Sequence, residues 1–137
     1  MPEKNFEYKE GESGIFGRIK RPLIDIEVED YNGKWLKLKN VLVDTGADVS
    51  ILPRDLGEMI VSDITQGKII EIKGIVPYAR LIVYVHNIKY RISDFTFVTP
   101  TAIADSNDVI PILGRTKGID LFNAIFKKGR NLSLQWE

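Results

Sequence analysis

Apolar and polar residues alternate along much of the chain, and this period of two predicts a mostly β protein. Residues 23–29 alternate between aliphatic and acidic side chains, as a half-buried strand does. The Asn32-Gly33 pair that follows is a strong signal for a hairpin turn. The returning strand covers residues 35–39 and continues into the apolar run at residues 41–43.

Short helices are predicted at two further places. Pro53 suits the first turn of a helix that ends near Ile60, and a second short helix is predicted over residues 118–122. The apolar spacing from Ile119 to Phe126 equally allows a longer helix there. Asn87 is expected to mark a turn, and the polar stretch at 99–108 a loop. Other strands or strand-like apolar runs are predicted at residues 68–72, 79–85, 90–92, 95–98, 109–113, 123–126 and 132–136.

Length and composition favour one soluble domain without strong affinity for nucleic acid. The chain has 137 residues, of which 44% are hydrophobic and 28% charged. Lysine plus arginine equals aspartate plus glutamate at 19 each, so no net basic charge is available for a nucleic-acid backbone. There are no cysteines, which excludes disulfides and thiol nucleophiles. We expect a flexible arm at residues 1–14, a folded domain at 15–137 and a cytoplasmic location without a membrane segment.

The apolar run at residues 41–43 ends in Asp44-Thr45-Gly46, which allows two interpretations. Asp, Thr and Gly are ordinary turn residues, and the tripeptide alone favours a plain turn. The alternative is a carboxylate held at the end of a rigid strand for acid–base chemistry. His86 is the only histidine, which argues against a Ser-His triad and a histidine zinc site, and no metal is expected.

Two motifs together resemble those of the retropepsin family, the single-domain aspartic proteases of retroviruses and their cellular relatives. They are Asp44-Thr45-Gly46-Ala47-Asp48 after an apolar strand and, well downstream, Ile112-Leu113-Gly114-Arg115. The similarity in the order of elements extends from about Arg21 to Trp136. It implies the family's mostly β, single-domain fold, with the active site at a homodimer interface, and it reverses the preference for a plain turn.

The resemblance implies an aspartic endopeptidase in which Asp44 is catalytic. Two neighbouring carboxylates share one proton and can serve as both base and acid on a peptide, without a metal or other cofactor. The chain has only one Asp-Thr-Gly or Asp-Ser-Gly sequence, so the second carboxylate must come from a second copy of the chain. Terminal strands such as residues 132–136 are expected to contribute to the dimer interface.

The other site residues are assigned from the same resemblance. Thr45 would bond across the interface, Gly46 would let substrate approach, and Asp48 would form an ion pair with Arg115 beside the cleft. The resemblance implies support of the active site by Ala47, Ile112, Leu113 and Gly114. It implies contact with substrate for Asp48 and for four residues of the hairpin that closes over substrate: Lys73, Gly74, Ile75 and Val76. Pro77 and the scarcity of glycine depart from the family's hairpin tip.

A second class of function is compatible with the same fold. A dimeric binding or assembly protein would keep the architecture without useful catalysis. The intact Asp44-Thr45-Gly46 sequence favours the peptidase. A β-rich nucleic-acid module is disfavoured by the zero net charge.

Overall fold

The computed structural model describes residues 1–73 and 80–137. Within them, strands dominate beside one α-helix and two short 3₁₀ helices, which confirms the mostly β class. The α-helix, α1, spans Arg54–Ile60, and the 3₁₀ helices span Ile64–Gln66 and Ile119–Leu121. The strands are β1 (Glu3–Glu7), β2 (Lys9–Ser13), β3 (Gly17–Arg21), β4 (Leu23–Glu29), β5 (Trp35–Val43), β6 (Ser50–Leu52), β7 (Lys68–Lys73), β8 (Arg80–Ile92), β9 (Phe95–Ala104), β10 (Ile112–Leu113), β11 (Asn123–Lys127) and β12 (Asn131–Gln135).

Seven strands form the main sheet in the order β4-β5-β10-β6-β9-β8-β7. β4 also pairs with β8, with Glu27 opposite Arg91 and Val28 opposite Tyr90, so the sheet curves back on itself. The side chains on the inner face are buried and form one hydrophobic core, which includes Ile24, Ile26, Val28, Leu38, Val41, Leu52, Tyr90, Phe97, Ile103 and Leu113.

The hairpin between β4 and β5 confirms the prediction from Asn32-Gly33. Gly33 has a φ of 78°, a left-handed conformation in which a side chain would be strained. The carboxylate of Asp30 accepts hydrogen bonds from the backbone N–H groups of Asn32 and Lys34, both at 2.9 Å. The turn is therefore determined by local chemistry, and it delivers β5 into the sheet.

The predicted helix after Pro53 is confirmed as α1, which begins at Arg54 and ends at Ile60. The second predicted helix is only the 3₁₀ turn at Ile119–Leu121. The alternative of a longer helix is wrong because β11 begins at Asn123 and pairs with β12 as the final hairpin.

Two long strands replace the turn and part of the loop that were predicted. The prediction of a turn at Asn87 is wrong, since β8 continues through it with Asn87 opposite Pro100. The prediction of a loop over residues 99–108 is wrong for residues 99–104, which belong to β9. Thr99 and Thr101 are fully buried in β9. Their β-branched side chains suit a strand, and their hydroxyl groups find partners inside the protein.

The N-terminal arm that was predicted to be loose contains two paired strands. β1 lies antiparallel to β12, from Glu3 opposite Gln135 to Glu7 opposite Asn131, and β2 forms a hairpin with β3. Phe6 and Tyr8 are partly buried against the core. The reason is that β1 pairs with β12, where Phe6 lies opposite Leu132, and no local pattern reveals this distant partner.

β12 is the middle strand of a three-stranded sheet, between β1 and β11. Both of its edges are therefore occupied within the chain. An intersubunit sheet built directly on residues 132–136, as the sequence predicts, would have to displace one of these neighbours. The outer strands of this sheet are β1 and β11. No helix within the described residues is long and apolar enough to cross a membrane.

Candidate active site

The two sequence motifs lie side by side because β10 is inserted between β5 and β6. β10 runs parallel to β5, with Leu113 opposite Val43, and antiparallel to β6, with Ile112 opposite Ile51. β5 and β6 are joined by residues 44–49, so the Asp44 turn spans the end of β10. A segment far away in sequence thus supports this turn.

Asp44 lies where β5 ends, and its side chain is held by its own turn. The N–H of Gly46 donates to Oδ1 of Asp44 at 2.9 Å, and the N–H of Ala47 donates to the carbonyl of Asp44 at 3.1 Å. A Cβ at position 46 would lie 3.2 Å from the same Oδ1, so glycine permits this close approach. Asp44 is half-buried, whereas Thr45 and Gly46 are exposed. The carboxylate is oriented but remains accessible.

The second motif supports the turn through its backbone. The N–H of Asp44 donates to the carbonyl of Leu113 at 3.1 Å. The N–H groups of Arg115 and Thr116 donate to the carbonyls of Ala47 and Asp48, both at 2.9 Å. Residues 112–116 therefore lie directly against residues 44–48. The structure thus brings Ile112, Leu113 and Gly114 next to the Asp44 turn, and their role as support of an active site stays a prediction.

Gly114 is required by the close contact of the two segments. A Cβ there would lie 2.5 Å from both the carbonyl carbon and the oxygen of Val49. The N–H of Gly114 donates to the Oγ of Ser50 at 2.9 Å. Sequence reasoning missed Ser50, which is fully buried. The signal was a single hydroxyl residue inside the apolar run at residues 49–52.

The predicted ion pair between Asp48 and Arg115 is replaced by another. Nε of Arg115 lies 3.5 Å from Oδ1 of Asp120, in the following 3₁₀ turn, and Asp48 forms no ion pair within the described residues. The backbone bonds of Arg115 and Thr116 already join this segment to Ala47 and Asp48, and the guanidinium contacts Asp120 instead. Both partners are about half exposed, so the pair contributes little to stability.

The hairpin predicted to close over substrate is only partly described. The backbone of Lys73 ends β7 and pairs with Arg80 of β8. Gly74, Ile75, Val76 and Pro77 lie outside the described residues, so their predicted roles and that of the Lys73 side chain stay predictions.

A cleft of about 710 Å³ lies elsewhere, between β1 and β4. Its walls include Phe6, Tyr8, Asp25 and Arg91, and no residue of the Asp44 turn lines it. We therefore place the candidate active site at the turn, where the carboxylate is, and not in this cleft. Within residues 1–73 and 80–137, no group of three His, Cys, Asp or Glu side chains is arranged to hold a metal ion.

The fold is that of the single-domain retropepsin-like aspartic proteases, as predicted. The structure superposes on the crystal structure of a retropepsin-like aspartic protease from Rickettsia conorii with a TM-score of 0.61. The two chains are 18% identical, and the match covers 98% of this chain and 93% of the other. At this identity the similarity establishes the fold alone.

A second solved structure, the EIAV protease in complex with the inhibitor HBY-793, matches over 75% of this chain and 86% of that one. The two chains are 22% identical, and the TM-score is 0.44. No protein-family model matches the sequence, and no curated protein matches it.

Proposed function

We propose that the protein is a homodimeric aspartic endopeptidase, with Asp44 as the catalytic residue of each subunit. The observation that carries the proposal is the position of Asp44. Its carboxylate lies at the end of β5, is oriented by the N–H of Gly46 and is supported by β10. This arrangement occurs in a retropepsin-like fold.

A second copy of the chain is needed because a single Asp44 cannot perform both proton transfers. One carboxylate must accept a proton from water while an acid protonates the substrate. Two close carboxylates that share one proton satisfy both needs. Thr45 and Gly46 are exposed in the single chain, so this end of the turn is available to a partner. A two-fold axis at this point would bring the two Asp44 side chains together.

The reaction follows from the shared proton. The ionised Asp44 accepts a proton as water attacks the peptide carbonyl carbon, and the protonated Asp44 donates to the carbonyl oxygen. The tetrahedral gem-diol then collapses. One of its hydroxyl groups gives its proton to the ionised carboxylate as the carbonyl forms again, the C–N bond breaks, and the leaving nitrogen takes up the proton of the other carboxyl group. The two carboxyl groups end with one proton between them again.

We propose extended peptides with apolar residues near the cleaved bond as substrates. A second apolar cluster stands apart from the main core and includes partly buried Val49, Ile51, Ile72 and Leu81. Val49 and Ile51 directly follow the Asp44 turn, and Ile72 and Leu81 belong to the base of the β7–β8 hairpin. Partly exposed aliphatic side chains at these positions suit apolar substrate groups.

The test is cleavage of a peptide library by the parent and by Asp44→Asn, which keeps the size of the side chain and an oxygen that can accept from the N–H of Gly46 but cannot take part in proton transfer. We expect the variant to remain folded and dimeric but to lose at least about a hundredfold in kcat/KM. Asp94→Asn, on the exposed turn between β8 and β9, is the matched control and should keep parental activity.

Sedimentation of the parent, Asp44→Asn and Asp94→Asn measures whether each protein is a dimer. Cleavage by Asp44→Asn at the parental rate would contradict the catalytic assignment. A parent that is dimeric but cleaves no peptide of the library would instead favour the binding or assembly protein.

A further inference from the structure

Within the described residues, four polar side chains are almost completely buried, each at most 1% exposed: Ser50, Thr99, Thr101 and Ser133. Burying a hydroxyl group is unfavourable unless it makes a hydrogen bond. Two of these hydroxyl groups bind the backbone of the segment beside the Asp44 turn, residues 114–116. Ser50 accepts from the N–H of Gly114 at 2.9 Å, and Thr99 donates to the carbonyl of Thr116 at 3.1 Å.

We propose that Thr99 and Ser50 are positioning residues for Asp44, which they hold in place through residues 114–116. The inference rests on the proposed peptidase function. It assigns a role to two side chains that do not contact the carboxylate themselves.

The backbone of Thr116 is the central connection. Its carbonyl accepts from Thr99 in β9, and its N–H donates to the carbonyl of Asp48 in the turn. Arg115 makes a parallel bond to Ala47. A shift of residues 114–116 would therefore be transmitted directly to residues 44–48, which carry the catalytic group.

Thr99 differs from its neighbour Thr101 in what its hydroxyl group binds. Both side chains are fully buried on the same face of β9. The hydroxyl of Thr101 shares a hydrogen bond with Tyr90 at 2.9 Å and donates to the carbonyl of Thr99 at 3.2 Å, so it stays within the β8–β9 pair. Of the two threonines, only Thr99 has a hydroxyl group that binds residues 114–116. Thr101 is therefore a matched control of equal burial.

The experiment compares Thr99→Val, Thr99→Ser and Thr101→Val with the parent in peptide cleavage. Displacement of a catalytic group by about 1 Å can reduce the rate by about a hundredfold. We expect kcat to fall at least about tenfold in Thr99→Val with KM within about twofold. Thr99→Ser retains the hydroxyl group and should recover most of kcat. Thr101→Val should lose similar stability in urea but keep kcat.

A second measurement does not depend on catalysis. Amide hydrogen exchange at Arg115 and Thr116 reports their bonds to Ala47 and Asp48, and both amides should exchange at least about tenfold faster in Thr99→Val than in Thr101→Val. If Thr99→Val does not fold, Ser50→Ala is measured in the same way.

The two proposals fail differently. Equal kcat in Thr99→Val and Thr101→Val, or equal exchange at both amides, would overturn the positioning role. A parent without peptidase activity would overturn the proposed function, while faster exchange in Thr99→Val would still show that Thr99 holds the Asp44 turn.

Discussion

The backbone N–H of Gly114 donates to the Oγ of Ser50 at 2.9 Å, and this bond joins the second sequence motif to the strand that follows the first. The approach is so close that a Cβ at position 114 would lie 2.5 Å from the carbonyl group of Val49 and 2.9 Å from the nitrogen of Ser50. Both neighbours are backbone atoms, which cannot rotate away as a flexible side chain can. Glycine is therefore a structural requirement at this position.

Gly114→Ala should lower the free energy of unfolding by about 3 kcal/mol, near the upper end for overpacked sites. Urea denaturation measures the change. Gly14→Ala is the control, because a Cβ at Gly14 would meet nothing within 4 Å, and its stability should match that of the parent. Equal stability of both variants would show that the backbone of Val49 does not lie against residue 114.

Asp25 should make the stability of the protein depend on acid pH. Burial raises the pKa of Asp25, but the hydrogen bonds from Lys9 and the backbone N–H of Asn40 outweigh it, so its pKa lies below the ordinary value. Because the folded state binds the proton less tightly, Asp25 stabilises the protein above pH about 4. This contribution is lost as the pH falls through the lowered pKa.

Asp25→Asn should therefore reduce stability by about 1 kcal/mol at pH 7 and by much less near pH 2. Urea denaturation at both pH values tests this expectation. The control is Glu10→Gln, since the ion pair of Glu10 with Arg18 is more than half exposed on both sides and should have little effect. A pH-independent difference between parent and Asp25→Asn would contradict the assignment.

Tyr90 should make the protein less stable in alkali. Burial raises the pKa of the Tyr90 phenol, which the hydrogen bond to Thr101 only partly offsets. In the unfolded chain this phenol ionises near pH 10, whereas the folded state keeps the proton. The contribution is complete below pH about 10 and is lost as the pH rises further.

Tyr90→Phe should lower the free energy of unfolding by about 1 kcal/mol at pH 8, because a hydrogen bond is lost. Above pH 10 the stability of this variant should fall less steeply than that of the parent, because the variant has no phenol at this position to ionise. Tyr31→Phe removes a phenol from an exposed side chain and should follow the parent at every pH. Urea denaturation at pH 8 and pH 10.5 distinguishes the two, and identical alkaline slopes for all three proteins would contradict the role of Tyr90.

The N-terminal strand should contribute to stability, unlike the tip of the next hairpin. Phe6 in β1 is partly buried against the core, whereas Phe16 in the β2–β3 turn is 74% exposed. Phe6→Ala should lower the free energy of unfolding by about 1–2 kcal/mol, which is less than the loss expected when a fully buried phenylalanine is replaced. Phe16→Ala should leave the free energy of unfolding almost unchanged. Thermal or urea unfolding of the two variants decides whether residues 1–14 behave as a paired strand or as a loose arm.

Local sequence predicted the elements whose causes are local. The β4–β5 hairpin follows from Asn32-Gly33, α1 follows from Pro53, and the final hairpin follows from alternating apolar residues around Gly129. The prediction failed at Thr99 and Thr101, because a threonine suits a solvated loop and a buried strand alike. The outcome depends on whether Tyr90 and Thr116 supply hydrogen bonds, and these are distant in sequence.

The sequence by itself determined the chemical content of the site: one Asp-Thr-Gly after an apolar strand, one distant Ile-Leu-Gly-Arg and no cysteine. Only the tertiary structure decided which groups meet. In the folded chain β10 lies between β5 and β6, and β12 is paired on both edges, with β1 and β11. Arg115 forms its ion pair with Asp120 rather than with Asp48. Contacts of this kind depend on the three-dimensional path of the backbone, because a local residue pattern specifies which faces are apolar but not which distant segment covers them.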